Sequence, residues 1–142
     1  MSLSSAARAA LDELARDNRS LANACSASFF ELDALVCAGV VERVQRFLSV
    51  EAPPMLARID AGDVAQADRL ARAVANIRRT VVDEAQRTGA ELSTGGVLMR
   101  FFDEVVAQSG ADVVEGSRAA FPFLAVAIGG VGLLALAHVL RK

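Results

Sequence analysis

A single histidine, His138, two cysteines, Cys25 and Cys37, and three adjacent acid pairs are the side chains here that could act as catalysts or metal ligands. The pairs are Asp12 with Glu13, Asp83 with Glu84, and Asp103 with Glu104. Nucleophilic catalysis needs a base beside the nucleophile, and one histidine inside an apolar run excludes both a triad and a multi-histidine metal site. No CxxC occurs, so neither a disulfide framework nor a zinc site is indicated. The expected role of Cys25 and Cys37 is small buried filler in a reducing compartment. The acid pairs could do acid–base work, but arginines lie within a turn or two of each, and they read as solvated helix faces. Gly129, Gly130 and Gly132 follow no strand, so they are not a phosphate-cradling loop or a dinucleotide fingerprint. The chain therefore reads as a non-enzyme with no metal and no cofactor.

Composition narrows the class further. The 142 residues suit one domain with one core, and the 54% hydrophobic content is inflated by the C-terminal end. Arg141 and Lys142 close the chain, which leaves 13 Lys+Arg against 17 Asp+Glu before residue 119, a charge of −4. That balance, with seven Phe and no Trp or Tyr, gives no electrostatic or stacking argument for nucleic acid.

The elements that would position any site begin with the end of the chain. Residues 119–140 read AAFPFLAVAIGGVGLLALAHVL and carry no charge. As a helix they would reach ~33 Å, about the thickness of a bilayer hydrocarbon core. Arg118 precedes them, and His138 sits where a polar group reaches the headgroups cheaply. We read residues 119–142 as a C-terminal transmembrane tail anchor and residues 1–118 as the helical domain. No charged-then-apolar leader opens the sequence, so a cytosol-facing protein is expected.

Within the domain the apolar spacing is helical throughout, and no stretch alternates like a strand. Residues 3–21 form an amphipathic helix capped by Ser4 or Ser5, with a turn over residues 23–28. A second helix covers residues 29–48 and is apolar around more than half its circumference. Gly39 inside it costs ~1 kcal/mol against alanine, and beside Ala38 it makes an outward notch. Pro53 and Pro54 stop that helix, a short turn spans residues 55–60, and residues 60–63 form a break. Asp63 caps the next helix, whose stripe of Leu70, Val74, Ile77 and Val81 is flanked by Arg69, Arg72, Arg78 and Arg79 and which ends near Gln86 ahead of Gly89. The last helix of the domain runs from Ser93 or Thr94 to Gln108. Its apolar density over residues 97–106 marks it as the most buried helix, and residues 111–118 link it to the tail.

Four stretches in this order resemble the Bcl-2 family of apoptosis regulators. The tail resembles the family's membrane anchors through Phe123-Leu124, Gly130-Val131, Leu133-Leu134 and the basic pair Arg141-Lys142. Residues 34–39, with Leu35, Ala38 and Gly39, are similar to the core of its third homology motif, the BH3 motif. Residues 81–89 are similar to the helix leading into the first homology motif, BH1. Residues 96–102, with Gly96, Phe101 and Phe102, are similar to the start of the family's central buried helix. The resemblance implies an all-α, Bcl-2-like bundle around that central helix, closest in kind to the compact virus-encoded members.

Departures shape the expected mechanism. Val40 stands where the BH3 acid normally follows the glycine, Val97 stands in place of the BH1 arginine, and Gly95 in place of the tryptophan. Only about twenty residues separate Phe102 from the tail, so the second homology motif is missing or shrunken. The resemblance implies an anti-apoptotic protein that sequesters BH3 helices of pro-apoptotic partners in a hydrophobic groove. The expected lining is Val44, Phe47, Leu48, Val74, Ile77, Val81, Glu84, Ala85, Gly96 and Met99, with Arg100 substituting for the absent arginine. Residues 119–140 would hold it in the mitochondrial outer membrane or the endoplasmic reticulum membrane, facing the cytosol. Two alternatives stand beside this: a pro-apoptotic or decoy member, and an unrelated tail-anchored adaptor or pore-forming protein whose tail oligomerises through its glycines. The shortened C-terminal part leaves a homodimer open, as it does a tail folded back on the bundle.

Overall fold

The computed structural model describes residues 2–27 and 31–109, and among these the regular structure is entirely helical. The elements are α1 (Leu3–Ser26), α2 (Glu31–Arg46), a π-helical turn (Phe47–Glu51), α3 (Ala52–Asp60), α4 (Val64–Thr88) and α5 (Gly96–Ser109). The all-α class expected from the apolar spacing is what the described residues adopt. None of the described helices is long and apolar enough to cross a membrane. The anchor expected over residues 119–140 lies outside the described residues.

Local chemistry accounts for most boundaries. Ser2, rather than Ser4 or Ser5, caps α1: its Oγ accepts from the Ser5 amide at 3.1 Å. The helix then runs past the turn expected over residues 23–28 as far as Ser26. Asp63 caps α4 by accepting from the Gln66 amide at 3.2 Å. Gly89 ends it with φ 77°, and its amide donates to the Ala85 carbonyl at 2.8 Å.

Pro53 and Pro54 do not stop the second helix, contrary to expectation. The chain passes from α2 into α3 through the π-helical turn, in which the Ala52 amide donates to the Phe47 carbonyl five residues back. A proline ring collides with the carbonyl four residues earlier in a regular helix, and the widened turn relieves that collision just upstream. Ser49 Oγ donates to the Gln45 carbonyl at 2.8 Å inside the same stretch. Both prolines then fall in the first turn of α3, where a missing N–H costs least. The short turn expected at residues 55–60 is accordingly a nine-residue helix.

The expected hub also differs. α1 packs against α2, α3, α4 and α5, and α4 packs against the same set of neighbours with α1 in place of itself. α5 packs mainly on α1 and α4. It buries Leu98, Phe101, Phe102 and Val105 and leaves Met99, Arg100 and Asp103 exposed, so it covers one side of the bundle. The centre is the long α1–α4 pair, whose buried alanines Ala7, Ala10, Ala67 and Ala71 sit among Leu14, Leu21 and Leu70.

Candidate functional site

Two places in the bundle depart from the simple rule of apolar inside and polar outside. The first is the outer face of α2. Leu32, Leu35 and Val36 are 77%, 64% and 47% exposed, and Gly39 follows them on the same helical face. A Cβ added to Gly39 would meet nothing within 4 Å. Packing inside the described bundle therefore gives no reason for that glycine, which lowers helix stability at no local gain. Between Leu32 and Gly39 the only buried residue is Cys37.

Cys37 is bonded to Cys25 in the last turn of α1, with 5.6 Å between their Cα atoms. This corrects the reading of both as unpaired filler. They are indeed buried, at 8% and 0% exposure, but they form a cross-link. An open recess of about 170 Å³ lies beside it, lined by Ala22, Cys25, Ala38, Val41, Glu42 and Gln45. The later half of α2 is held in other ways. Asn18 Nδ2 of α1 donates to the Val41 carbonyl at 3.2 Å, and Val44 and Phe47 enter the core.

The second place is the junction of α1, α4 and the start of α5. Arg78 is 1% exposed, and it lies with Glu13 and Asp17, both 3% exposed. Its Nη1 pairs with Asp17, donates to Ser93 Oγ at 3.3 Å, and stands 3.7 Å from Glu13 Oε1. Its Nη2 donates to the Ser93 carbonyl at 2.6 Å. Asp17 in turn accepts from the Ser93 amide and hydroxyl, both at 2.8 Å. Glu13 Oε2 accepts from the Val97 amide at 3.2 Å, so an acid of α1 caps the start of α5. Two carboxylates face one guanidinium, and the positive end of α5 offsets the remaining negative charge. Gly95 completes the junction with φ +83°, and a Cβ there would stand 3.3 Å from Arg78 Nε. Glu13 was expected on a solvated face, and Arg78 beside the apolar stripe; both are inside.

The residues expected to line a groove are distributed differently from a trough. Val44, Phe47, Val74, Ile77, Val81 and Ala85 are at most 8% exposed and belong to the core. Leu48 and Gly96 are half-buried. Glu84, also expected on a solvated face, is buried and pairs with Arg87 of its own helix. That contact holds the Arg87 guanidinium above its ordinary range, with smaller contributions from Asp33 and Asp83. Met99, at 45% exposure, and Arg100 stand open. The BH3-like residues Leu35, Ala38 and Gly39 are all exposed.

No family model, no curated protein and no solved structure matches this chain. Among the described residues no group of His, Cys, Asp and Glu is placed to hold a metal ion. The arrangement combines an exposed apolar helical face on α2, cross-linked to α1, with a buried charged junction of α1, α4 and α5.

The junction had a signal in the sequence. Arg78 lies eight positions after Leu70 and four after Val74, on the stripe itself, and Asp17 lies four before Leu21. Charge alone moves such residues to the flank of a stripe when it is read by hydropathy. The pairing of Cys25 with Cys37 had no such signal, because it depends on how α1 and α2 pack.

Proposed function

We propose that this chain is a Bcl-2-like regulator of apoptosis that works by seating an amphipathic helix in an apolar groove, and that the helix is its own α2. The observation that carries this is the outward row of Leu32, Leu35, Val36 and Gly39, spaced i, i+3, i+4 and i+7. In support, the three family-like stretches within the described residues fall on α2, α4 and the start of α5, in the family's order. With Val40 in place of the acid, such a helix would fill a partner's groove by apolar burial alone, without the charged contact of the family's own BH3 helices. We take the sign as anti-apoptotic, because the missing acid makes α2 a poor donor of the family's death signal. The tail at residues 119–140 would concentrate it at the mitochondrial outer membrane or the endoplasmic reticulum membrane, facing the cytosol.

A second mode is sequestration of BH3 helices from pro-apoptotic proteins in a groove of this chain. Met99, exposed beside half-buried Gly96, favours it. It requires the core around Val74, Ile77 and Val81 to open.

The full-length chain in mild detergent, titrated against groove-bearing Bcl-2 family proteins and against a panel of BH3 peptides, separates the two. The expected result is binding to a groove-bearing protein that Leu35→Gln weakens by about tenfold or more. Binding of BH3 peptides that is indifferent to Leu35→Gln moves the function to the groove. Silence from both panels removes the apoptotic reading and leaves the unrelated adaptor or pore-forming protein.

A further inference from the structure

We infer that the Cys25–Cys37 bond is a redox-controlled latch on the first half of α2, opened by a monothiol of the glutathione type. This rests on the reading of α2 as the contact helix and adds the means by which that helix is held or released. Three observations converge on it. Among residues 32–39, Cys37 alone is buried and Ala34 is half-buried, so the bond is the main core attachment of this half of the helix. The later half keeps its own attachments, through Asn18 to the Val41 carbonyl and through Val44 and Phe47. The first half also feels the attraction of Asp33 for Arg87, between two exposed side chains. Such attractions in solvent are weak.

Access is the third observation. Cys25 lines the open recess between α1 and α2, whereas Cys37 is fully enclosed. A thiolate entering there attacks the sulfur of Cys25. The Cys25–Cys37 bond breaks, and Cys37 leaves as a thiolate that takes up a proton. A second thiol then attacks the mixed disulfide on Cys25, releasing the oxidised dimer of the small thiol and returning Cys25 as a thiol. Two small thiols are oxidised and one protein disulfide is reduced, with electrons and protons balanced. In a chain that faces the cytosol, a disulfide of this kind is characteristically transient and redox-sensing.

With the latch closed, Leu32, Leu35, Val36 and Gly39 are presented on a helix fixed to α1. With it open, the buried anchors that the described residues give α2 beyond Cys37 begin at Val44, and the same residues belong to the less firmly held end of the helix. The oxidised form is thus the preorganised one, and reduction makes the contact helix mobile while leaving the α1–α4–α5 junction untouched.

Hydrogen exchange on the full-length chain in mild detergent, read by mass spectrometry before and after excess reduced glutathione, tests this without any partner. Intact mass should show a gain of two hydrogens per chain on reduction. Exchange over residues 32–40 should rise by about tenfold or more, with α4 and α5 unchanged. The Cys25→Ser, Cys37→Ser double variant should exchange like the reduced chain and ignore glutathione. Equal exchange in the oxidised and reduced chains overturns the latch. So does a rise shared by α4 and α5, or a bond that glutathione leaves intact. If the exchange pattern appears but no groove-bearing protein binds, the latch stands and the assignment of its partner falls.

Discussion

The junction of α1, α4 and α5 encloses a guanidinium and two carboxylates, whereas residues 32–39 of α2 leave two leucines and a valine in solvent. The two regions differ in what completes them. At the junction the charges meet one another within the chain: Arg78 pairs with Asp17 and donates to Ser93, and Glu13 accepts from the Val97 amide, although Glu13 Oε1 and Arg78 Nε are buried without a hydrogen-bond partner. On α2 nothing within the described residues answers the apolar row. A buried ionic cluster restricts the ways in which three helices can meet, while an exposed apolar row creates a demand that an outside surface satisfies.

That contrast predicts a graded series of effects on unfolding by urea, followed by circular dichroism. Arg78→Met should have the largest, a loss of about 3–5 kcal/mol, because it strands Glu13 and Asp17 as buried, unpaired acids. If it unfolds like the parent chain, Arg78 does not hold the three helices together. Next, the same replacement should act with opposite signs at two glycines. Gly95→Ala should cost about 1–3 kcal/mol, since φ is +83° and the new methyl group would press on Arg78. Gly39→Ala should stabilise by about 0.5–1 kcal/mol, since space is open around it. Equal signs would erase the distinction between the two regions. The smallest effect belongs to Leu35→Gln, which should move stability by no more than about 0.5 kcal/mol while weakening partner binding. A large loss would mean that Leu35 supports the bundle itself.

How much of this is legible in the sequence follows from which physical signal each part leaves. α4 was readable from end to end because a side-chain cap at Asp63, a regular stripe and a left-handed stop at Gly89 act locally and agree. The buried faces of α5, Phe101, Phe102 and Val105, were readable for the same reason. Its place at the side of the bundle was not, because apolar density measures how much a helix buries and not how many neighbours it has. A proline pair reads as a stop, but one wider turn lets the helix continue. For the candidate site, the Gly39 notch and its outward aspect could be seen in the sequence, whereas the groove could not be distinguished from core. Val74, Ile77 and Val81 would carry the same spacing in either setting, and only packing decides between them.

One feature of the junction bears on how the bundle assembles. The amide that opens α5 at Val97 takes its cap from Glu13, 84 positions earlier in the chain. The last described helix thus borrows its starting point from the first. A shortened variant beginning beyond α1 would lose more than one wall of the bundle: α5 would have to start without its acceptor, and Arg78 would be left without either acid. The opening stretch of this polypeptide is therefore a template for its later part, and no internal methionine start that bypasses it should yield the same fold.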